Sequence, residues 1–130
     1  MITADELMIK SKRALASAKL LLVADDADGS CNRAYYAMYD SARAALIAAG
    51  FEEAAITTKT HTGLISVFSQ HLIKTKQLPT ELGRSLNKVE DIRLMADYLG
   101  KGIELDKANW ALQQAEAFVT AIDKKMFGEM

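Results

Sequence analysis

Apolar and polar residues follow a helical period along almost the whole chain. Ala4, Leu7, Ser11, Ala14, Ala18, Leu21 and Leu22 recur three or four positions apart, the spacing that lines one face of an α-helix. Thr3 and Glu6 match a capping box at the start of this first helix, each side chain satisfying a free backbone N–H. The stretch DDADGS, Asp25 to Ser30, is expected to end it, with Gly29 in a left-handed turn and Ser30 capping the next helix. A second helix is predicted from Cys31 to Ala49, stopping at Gly50. It should be about 30 Å long, enough to span a small domain. Phe51 to Gly63 reads as a loop or a short broken helix. A third helix is predicted over His61–Thr75 with Thr60 as its cap, and the turn KTKQLPTEL follows. Pro79 or Thr80 opens a fourth helix that runs to Leu99, before Gly100 and Gly102. Asp106 is expected to cap a fifth, where Ala108, Ala111, Leu112, Ala115, Val119, Ile122 and Met126 form one apolar face.

Long amphipathic helices joined by tight turns pack as antiparallel neighbours. The pattern therefore predicts an all-α fold, an antiparallel four- to five-helix bundle. Composition agrees. There is one proline, Pro79, and seven glycines, while alanine, leucine and lysine recur throughout. The 130 residues suit one domain, 1–130, with half of them hydrophobic and 25% charged. No linker, low-complexity segment or internal repeat interrupts it.

Charge narrows the function classes. A formal net charge of −1 provides no global positive field to draw in nucleic acid, so any RNA contact must come from a local patch or an oligomer. The single Cys31 makes no intrachain disulfide, which fits a reducing compartment. The opening MITADELMIK lacks the basic-then-apolar order of a signal peptide. No uncharged apolar run approaches the roughly 18 residues of a membrane span. A cytoplasmic protein without a membrane segment is expected.

Metal chemistry finds little support. With Gly29 at the sixth position of a calcium loop, Ala24 falls at the first ligand position and Tyr35 where the bidentate glutamate belongs. His61 and His71 are the only histidines, too few for a zinc site without further ligands. No metal or cofactor is expected. His71 reads as a solvated helix residue, and His61 as a capping or loop-packing residue that is also a candidate for the cleft described next.

Two helix faces carry candidate chemistry. On the second helix, Asn32, Tyr36, Tyr39, Asp40 and Arg43 form one stripe, while Tyr35, Met38, Ala42, Ala45 and Leu46 form a core stripe. Tyrosines in a polar stripe bury their rings and hydrogen-bond their hydroxyls. Two readings stay open: an interhelical or dimer contact, with Asp40 pairing Arg43 or Arg33, and a shallow polar groove. On the fourth helix, Leu82, Ser85, Val89, Ile92, Ala96 and Leu99 keep the core spacing, and Glu90, Arg93 and Asp97 fall at its edge with Tyr98 nearby. An exposed ion pair there is worth roughly 0.2–0.5 kcal/mol. Alternatively, the carboxylates hold the planar fork of Arg93 towards a phosphate or an acidic partner.

The blocks NRAYYAMYDSARAAL, KTHTGLISVF and EDIRLMADY, in this order and spacing, resemble the HEPN superfamily of prokaryotic helical-bundle proteins, in particular small stand-alone members with an Arg…Ala-Asp-Tyr ending. The resemblance covers the chain from the second predicted helix through the fifth. It implies a four- or five-helix bundle that forms a two-fold dimer. It also implies an encoded nucleotidyltransferase-type partner in toxin–antitoxin pairs, and metal-independent endoribonuclease activity in active members. Those members use an arginine followed a few residues later by a histidine, in a dimer cleft that binds RNA. Asn32 and Asp40 match polar positions near that cleft. Arg93 matches the motif arginine, Tyr98 stands five residues on, and no histidine follows. The catalytic candidates are thus Arg93, Asp97 and Tyr98, and the cleft or ligand-binding candidates Asn32, Tyr36, Asp40, Arg43 and His61. The expected function is RNA cleavage or RNA binding by a homodimer. The alternative is a non-catalytic module that binds a nucleotidyltransferase partner or a nucleotide.

Overall fold

A computed structural model of the chain describes residues 2–128, with the side chain of Asp97 lying outside the described residues. The helices are α1 (Ala4–Val23), α2 (Ala27–Ala48), α3 (Glu52–Thr57), α4 (His61–Phe68), α5 (Thr80–Leu99) and α6 (Leu105–Phe127), with a π-helical turn at Ser69–Ile73 after α4. Among the described residues there is no strand, and no helix is long and apolar enough to cross a membrane.

Helix α2 lies at the centre and packs on every other helix. Its core face is mostly alanine. Ala34, Ala37, Ala42, Ala44 and Ala45 are fully buried, and such short side chains let neighbouring helix axes approach closely. Larger side chains fill the remaining space: Tyr35, Met38 and Leu46 from α2, Leu7 from α1, Phe68 from α4, Leu86 from α5 and Phe118 and Ile122 from α6. Phe68 and Phe118 meet with ring centroids 5.6 Å apart. Two buried serines join α1 to α2. The Ser11 hydroxyl donates to the Ala37 carbonyl at 2.7 Å and the Ser30 hydroxyl to the Ala18 carbonyl at 2.8 Å. Each such bond contributes about 1 kcal/mol and sets the register between the helices.

The caps follow the sequence at two ends and depart from it at others. The Thr3–Glu6 capping box forms with both bonds at 3.1 Å. Thr60 caps α4 by accepting from the Gly63 N–H at 2.9 Å. Helix α2, however, starts at Ala27 rather than Cys31, because Asp26 caps it, accepting from the Gly29 N–H at 2.8 Å. Asp25 takes the left-handed turn, with φ 62°. Gly29 lies inside the first helical turn, where a Cβ would collide with the Asp26 carboxylate. That leaves Ser30 free for its bond to α1. Asp28 serves elsewhere again: its carboxylate accepts from the Ile103 N–H at 2.6 Å and ties the α5–α6 connection to the start of α2.

Three further differences follow from local chemistry. The segment after Phe51 forms the short helix α3, whose buried residue is Ala55. The predicted third helix leaves α geometry after Phe68, where Lys74 N–H bonds to Ser69 C=O at 2.9 Å. Helix α6 begins at Leu105, so Asp106 sits in its first turn instead of capping it. There it still faces the positive end of the helix dipole favourably. Finally, α5 ends in a left-handed Gly100, φ 67°. The core face predicted along α5 stops short of that end: Leu82 and Val89 are buried, but Leu99 is 56% exposed, alongside Leu94, Met95 and Tyr98.

Candidate functional site

Tyr35 is the hub of the polar constellation. The periodicity assigns it to the core, and its ring is fully buried. A buried phenol still needs a partner for its hydroxyl. It finds one in His61 at the start of α4, whose Nδ1 lies 2.9 Å from the Tyr35 oxygen. The imidazole sits among three tyrosines of α2, with centroids 5.3 Å from Tyr35, 5.6 Å from Tyr36 and 4.8 Å from Tyr39. Thr60 fixes the helix start that aims it there. His71 lies elsewhere, stacked on Phe51 at 4.4 Å, a packing role in place of the solvated one expected.

From the other direction, α5 brings Arg93 to the same ring. Its guanidinium carbon stands 4.7 Å from the Tyr35 centroid and 5.9 Å from that of Tyr36, within the range of cation–π attraction. Glu90, one turn back, holds the guanidinium through Nε at 2.9 Å and Nη2 at 2.7 Å. The side chains are only 15% and 6% exposed, for arginine and glutamate respectively. This is therefore not the exposed helix-edge pair expected from periodicity. Removing one partner would leave a buried charge uncompensated, a far larger loss than a surface pair represents. The arginine fork is held in place before any ligand arrives.

Electrostatics set the protonation of the neighbours. Burial raises the Tyr35 phenol well above its ordinary range, the Glu90 carboxylate raises it further, and Arg93 pulls the other way. Tyr35 is a neutral hydroxyl at pH 7, able to orient His61 but not to act as a base. Burial also pushes the Cys31 thiol up to about 11, against the pull of Arg93. Cys31 is thus a protonated core residue without nucleophilic character. Asp40 is 4% exposed, and burial raises its pKa against the opposing influence of Lys10, Arg43 and Arg33.

The polar stripe of α2 divides between two clefts. Asn32 shares one of about 380 Å³ with Arg93, Asp28, Gly29, Ala96 and Ile103. Tyr36, Asp40 and Arg43 line another of about 280 Å³ with Lys10, Arg33 and Tyr39. The described residues contain no ion pair between Asp40 and Arg33 or Arg43. Tyr98 is 86% exposed and stands apart from the Tyr35 cluster; the Asp97 side chain is outside the described residues. A larger groove of about 610 Å³ lies at the other end of α5, between Ile73, Leu78, Pro79 and Lys124, and contains none of the candidates. No group of three or more histidine, cysteine, aspartate or glutamate side chains able to hold a metal occurs among the described residues.

Sequence reading missed Tyr35 and Lys10 as members of these sites. The available signal for Tyr35 was a tyrosine where phenylalanine would pack equally well. For Glu90 the spacing to Arg93 gave the pair but not its burial. Lys10 gave none, since one lysine on an exposed helix face resembles any other.

Comparison with known proteins fits this architecture. The HEPN domain profile matches residues 4–125. A UPF0332 protein of Gloeobacter violaceus is 40% identical over 98 residues, covering 74% of this chain and 72% of its own. A UPF0332 protein of Thermotoga maritima is 31% identical over 118 residues, covering 88% and 84% respectively. A Methanocaldococcus jannaschii protein bearing the name "Putative toxin" is 25% identical over 126 residues, covering 96% and 82%. An all-helical fold of the described residues centred on α2, a profile match over residues 4–125 and these relatives together place the chain in the HEPN domain family.

Proposed function

We propose that this HEPN protein is a toxin-type endoribonuclease in which Arg93 holds the scissile phosphate and His61 moves the proton. One observation carries the reading: Arg93 and His61, from different helices, converge on Tyr35. The motif lacks a histidine after Arg93, and the fold brings one in from α4. An imidazole ring can both accept and donate a proton, which suits it to proton transfer. In the proposed step, neutral His61 takes the proton of a ribose 2′-hydroxyl. The 2′-oxygen bonds to phosphorus, the bond from phosphorus to the 5′-oxygen breaks, and that oxygen takes a proton from water. His61 then releases its proton to the solvent. Arg93 balances the charge that develops on the phosphorane oxygens, an electrostatic contribution from a donor already in position. Asn32 stands in the same cleft to orient the phosphate. Asp97 is kept as a candidate assisting group on the next turn of α5, Tyr98 is left to the exposed face rather than the chemistry, and no cofactor is required.

The exposed Leu94, Met95, Tyr98 and Leu99 lie beside Arg93 on α5. In this reading they join two copies into a homodimer whose cleft carries two Arg93 side chains. The same apolar face favours a second reading, a non-catalytic module that binds a nucleotidyltransferase-type antitoxin partner or a nucleotide. Toxins act with antitoxins, and the "Putative toxin" relatives support such a partnership.

Incubation with RNA in chelator-treated buffer tests the first reading. Wild type should cleave, leaving 2′,3′-cyclic phosphate ends, and Arg93→Ala and His61→Ala should each lower the rate by about a hundredfold or more. Equal, negligible cleavage by wild type and Arg93→Ala would overturn it. Light scattering on a Met95→Asp, Leu99→Asp variant tests the interface, with a shift from dimer to monomer expected. Stable co-purification of a nucleotidyltransferase with inactive wild type would favour the second reading.

A further inference from the structure

We infer that the groove at the far end of α5, floored by Ile73, Leu78, Pro79 and Ala121 and rimmed by Lys76, Lys124 and Lys125, docks an acidic amphipathic helix of another protein. The inference does not rest on the reading of Arg93 and His61. Thr80, on the groove wall, lies on the order of 20 Å along α5 from Arg93. A helix seated there leaves the Arg93–His61 centre uncovered.

Three observations support it. First, the groove joins an apolar floor to a volume of about 610 Å³, within the size range of ligand sites. Apolar side chains three or four positions apart on a helix are the anchors that such a floor accepts. Second, the rim carries three exposed lysines, and no carboxylate is among the described residues that line it, in a chain whose net charge is −1. Lys12 and Lys19 are held by Asp123 and Glu116 at 2.9 and 3.1 Å, but Lys76, Lys124 and Lys125 form no ion pair among the described residues. The complement must therefore bring several carboxylates, spaced between apolar side chains. An alkyl carboxylate has only one. A second copy docked by two-fold symmetry would set lysine against lysine. No aromatic ring is among the described lining residues for an unpaired base to stack on.

Third, the backbone of the rim is unusual. Ile73 ends the π-helical turn, a feature that recurs at functional sites. Lys76 then takes φ 65°, the left-handed region that favours glycine. Two 2.9 Å bonds hold this turn, from Lys76 N–H to Ile73 C=O and from Leu78 N–H to Leu72 C=O. A side chain there costs stability that glycine would not, and it supplies one of the three rim cations.

The test is fluorescence anisotropy with a labelled synthetic helix of about four turns, with leucines three or four positions apart and glutamates between them. The same peptide with lysine in place of glutamate is the control. Wild type should bind the acidic peptide, less tightly as salt rises, and not the basic one. Lys124→Glu, Lys125→Glu together should lower the affinity about tenfold or more and gain binding of the basic peptide. Ala121→Glu, on the floor, should also weaken binding of the acidic peptide. Lys76→Gly should weaken it about threefold or more without lowering Tm, a split that a purely structural lysine would not show. Lys88→Glu, elsewhere on α5, should bind as wild type does. Saturating peptide should leave the mass in light scattering unchanged. No binding of the acidic peptide, equal binding of both peptides, or unchanged affinity in the Lys124, Lys125 and Ala121 variants overturns the inference. Displacement of the peptide by dodecanoate or by oligouridylate at equal concentration overturns it as well, assigning the groove to an alkyl acid or to RNA. A drop in mass on peptide binding overturns it in favour of a second copy.

Discussion

Replacing Tyr35 with phenylalanine isolates the bond on which the site depends. The substitution keeps the buried ring, and so keeps the guanidinium contact at 4.7 Å and the edge contact with Tyr36 at 5.5 Å. It removes only the hydroxyl, 2.9 Å from His61 Nδ1. The net worth of such a part-buried bond is about 0.5–1.5 kcal/mol, and the orphaned ring nitrogen raises the cost towards about 3 kcal/mol if no water reaches it. Losing the whole ring in Tyr35→Ala would be costlier, about 3–5 kcal/mol as for other large aromatic truncations. Urea unfolding of wild type, Tyr35→Phe, His61→Ala and the double variant forms a complete cycle. The expected coupling is about 1 kcal/mol, because the second substitution in either order finds the bond already broken. The kinetic counterpart is a change in the pH profile of RNA cleavage by Tyr35→Phe, since His61 would no longer be held in one orientation. Additivity within about 0.3 kcal/mol would refute the argument that Tyr35 holds His61.

Other predictions follow from burial and packing. Asp40 binds its proton more tightly folded than unfolded, so its ionisation costs stability as pH rises above the ordinary carboxylate range. Asp40→Asn should therefore unfold at higher temperature than wild type at pH 7, with the gain shrinking as pH falls towards 4; a gain that does not change with pH contradicts this. Ser11→Ala removes the 2.7 Å bond between α1 and α2 and should cost about 1 kcal/mol in chemical denaturation. Phe118→Ala opens a void beside Phe68 in the core and should cost about 3–5 kcal/mol, visible as a large drop in Tm.

The helices were legible where local chemistry defines them. The Thr3–Glu6 box and the Thr60 cap each concern residues three apart, and both formed as read. Asp26 shows the limit. Three acidic residues stand at the start of α2; Asp26 takes the cap, and Asp28 bonds instead to Ile103, 75 positions distant along the chain. The fading of the α5 core face past Val89 is of the same kind. Helical spacing marks Leu99 as a core position, but only the neighbouring helices decide whether anything covers it.

Taken alone, the sequence determined the all-helical bundle, the core stripe of α2 and the pairing of Glu90 with Arg93, because helical periodicity and contacts one turn apart are local. It also supplied Arg93, His61 and Tyr36 as candidates while leaving His61 without a place. Tertiary structure alone decided that α4 delivers His61 to Tyr35, that α5 lays Arg93 over the same ring, and that the polar stripe parts into two clefts. Those relations join residues far apart in sequence. Their geometry depends on how three helices pack around the small side chains of α2, which no local pattern encodes.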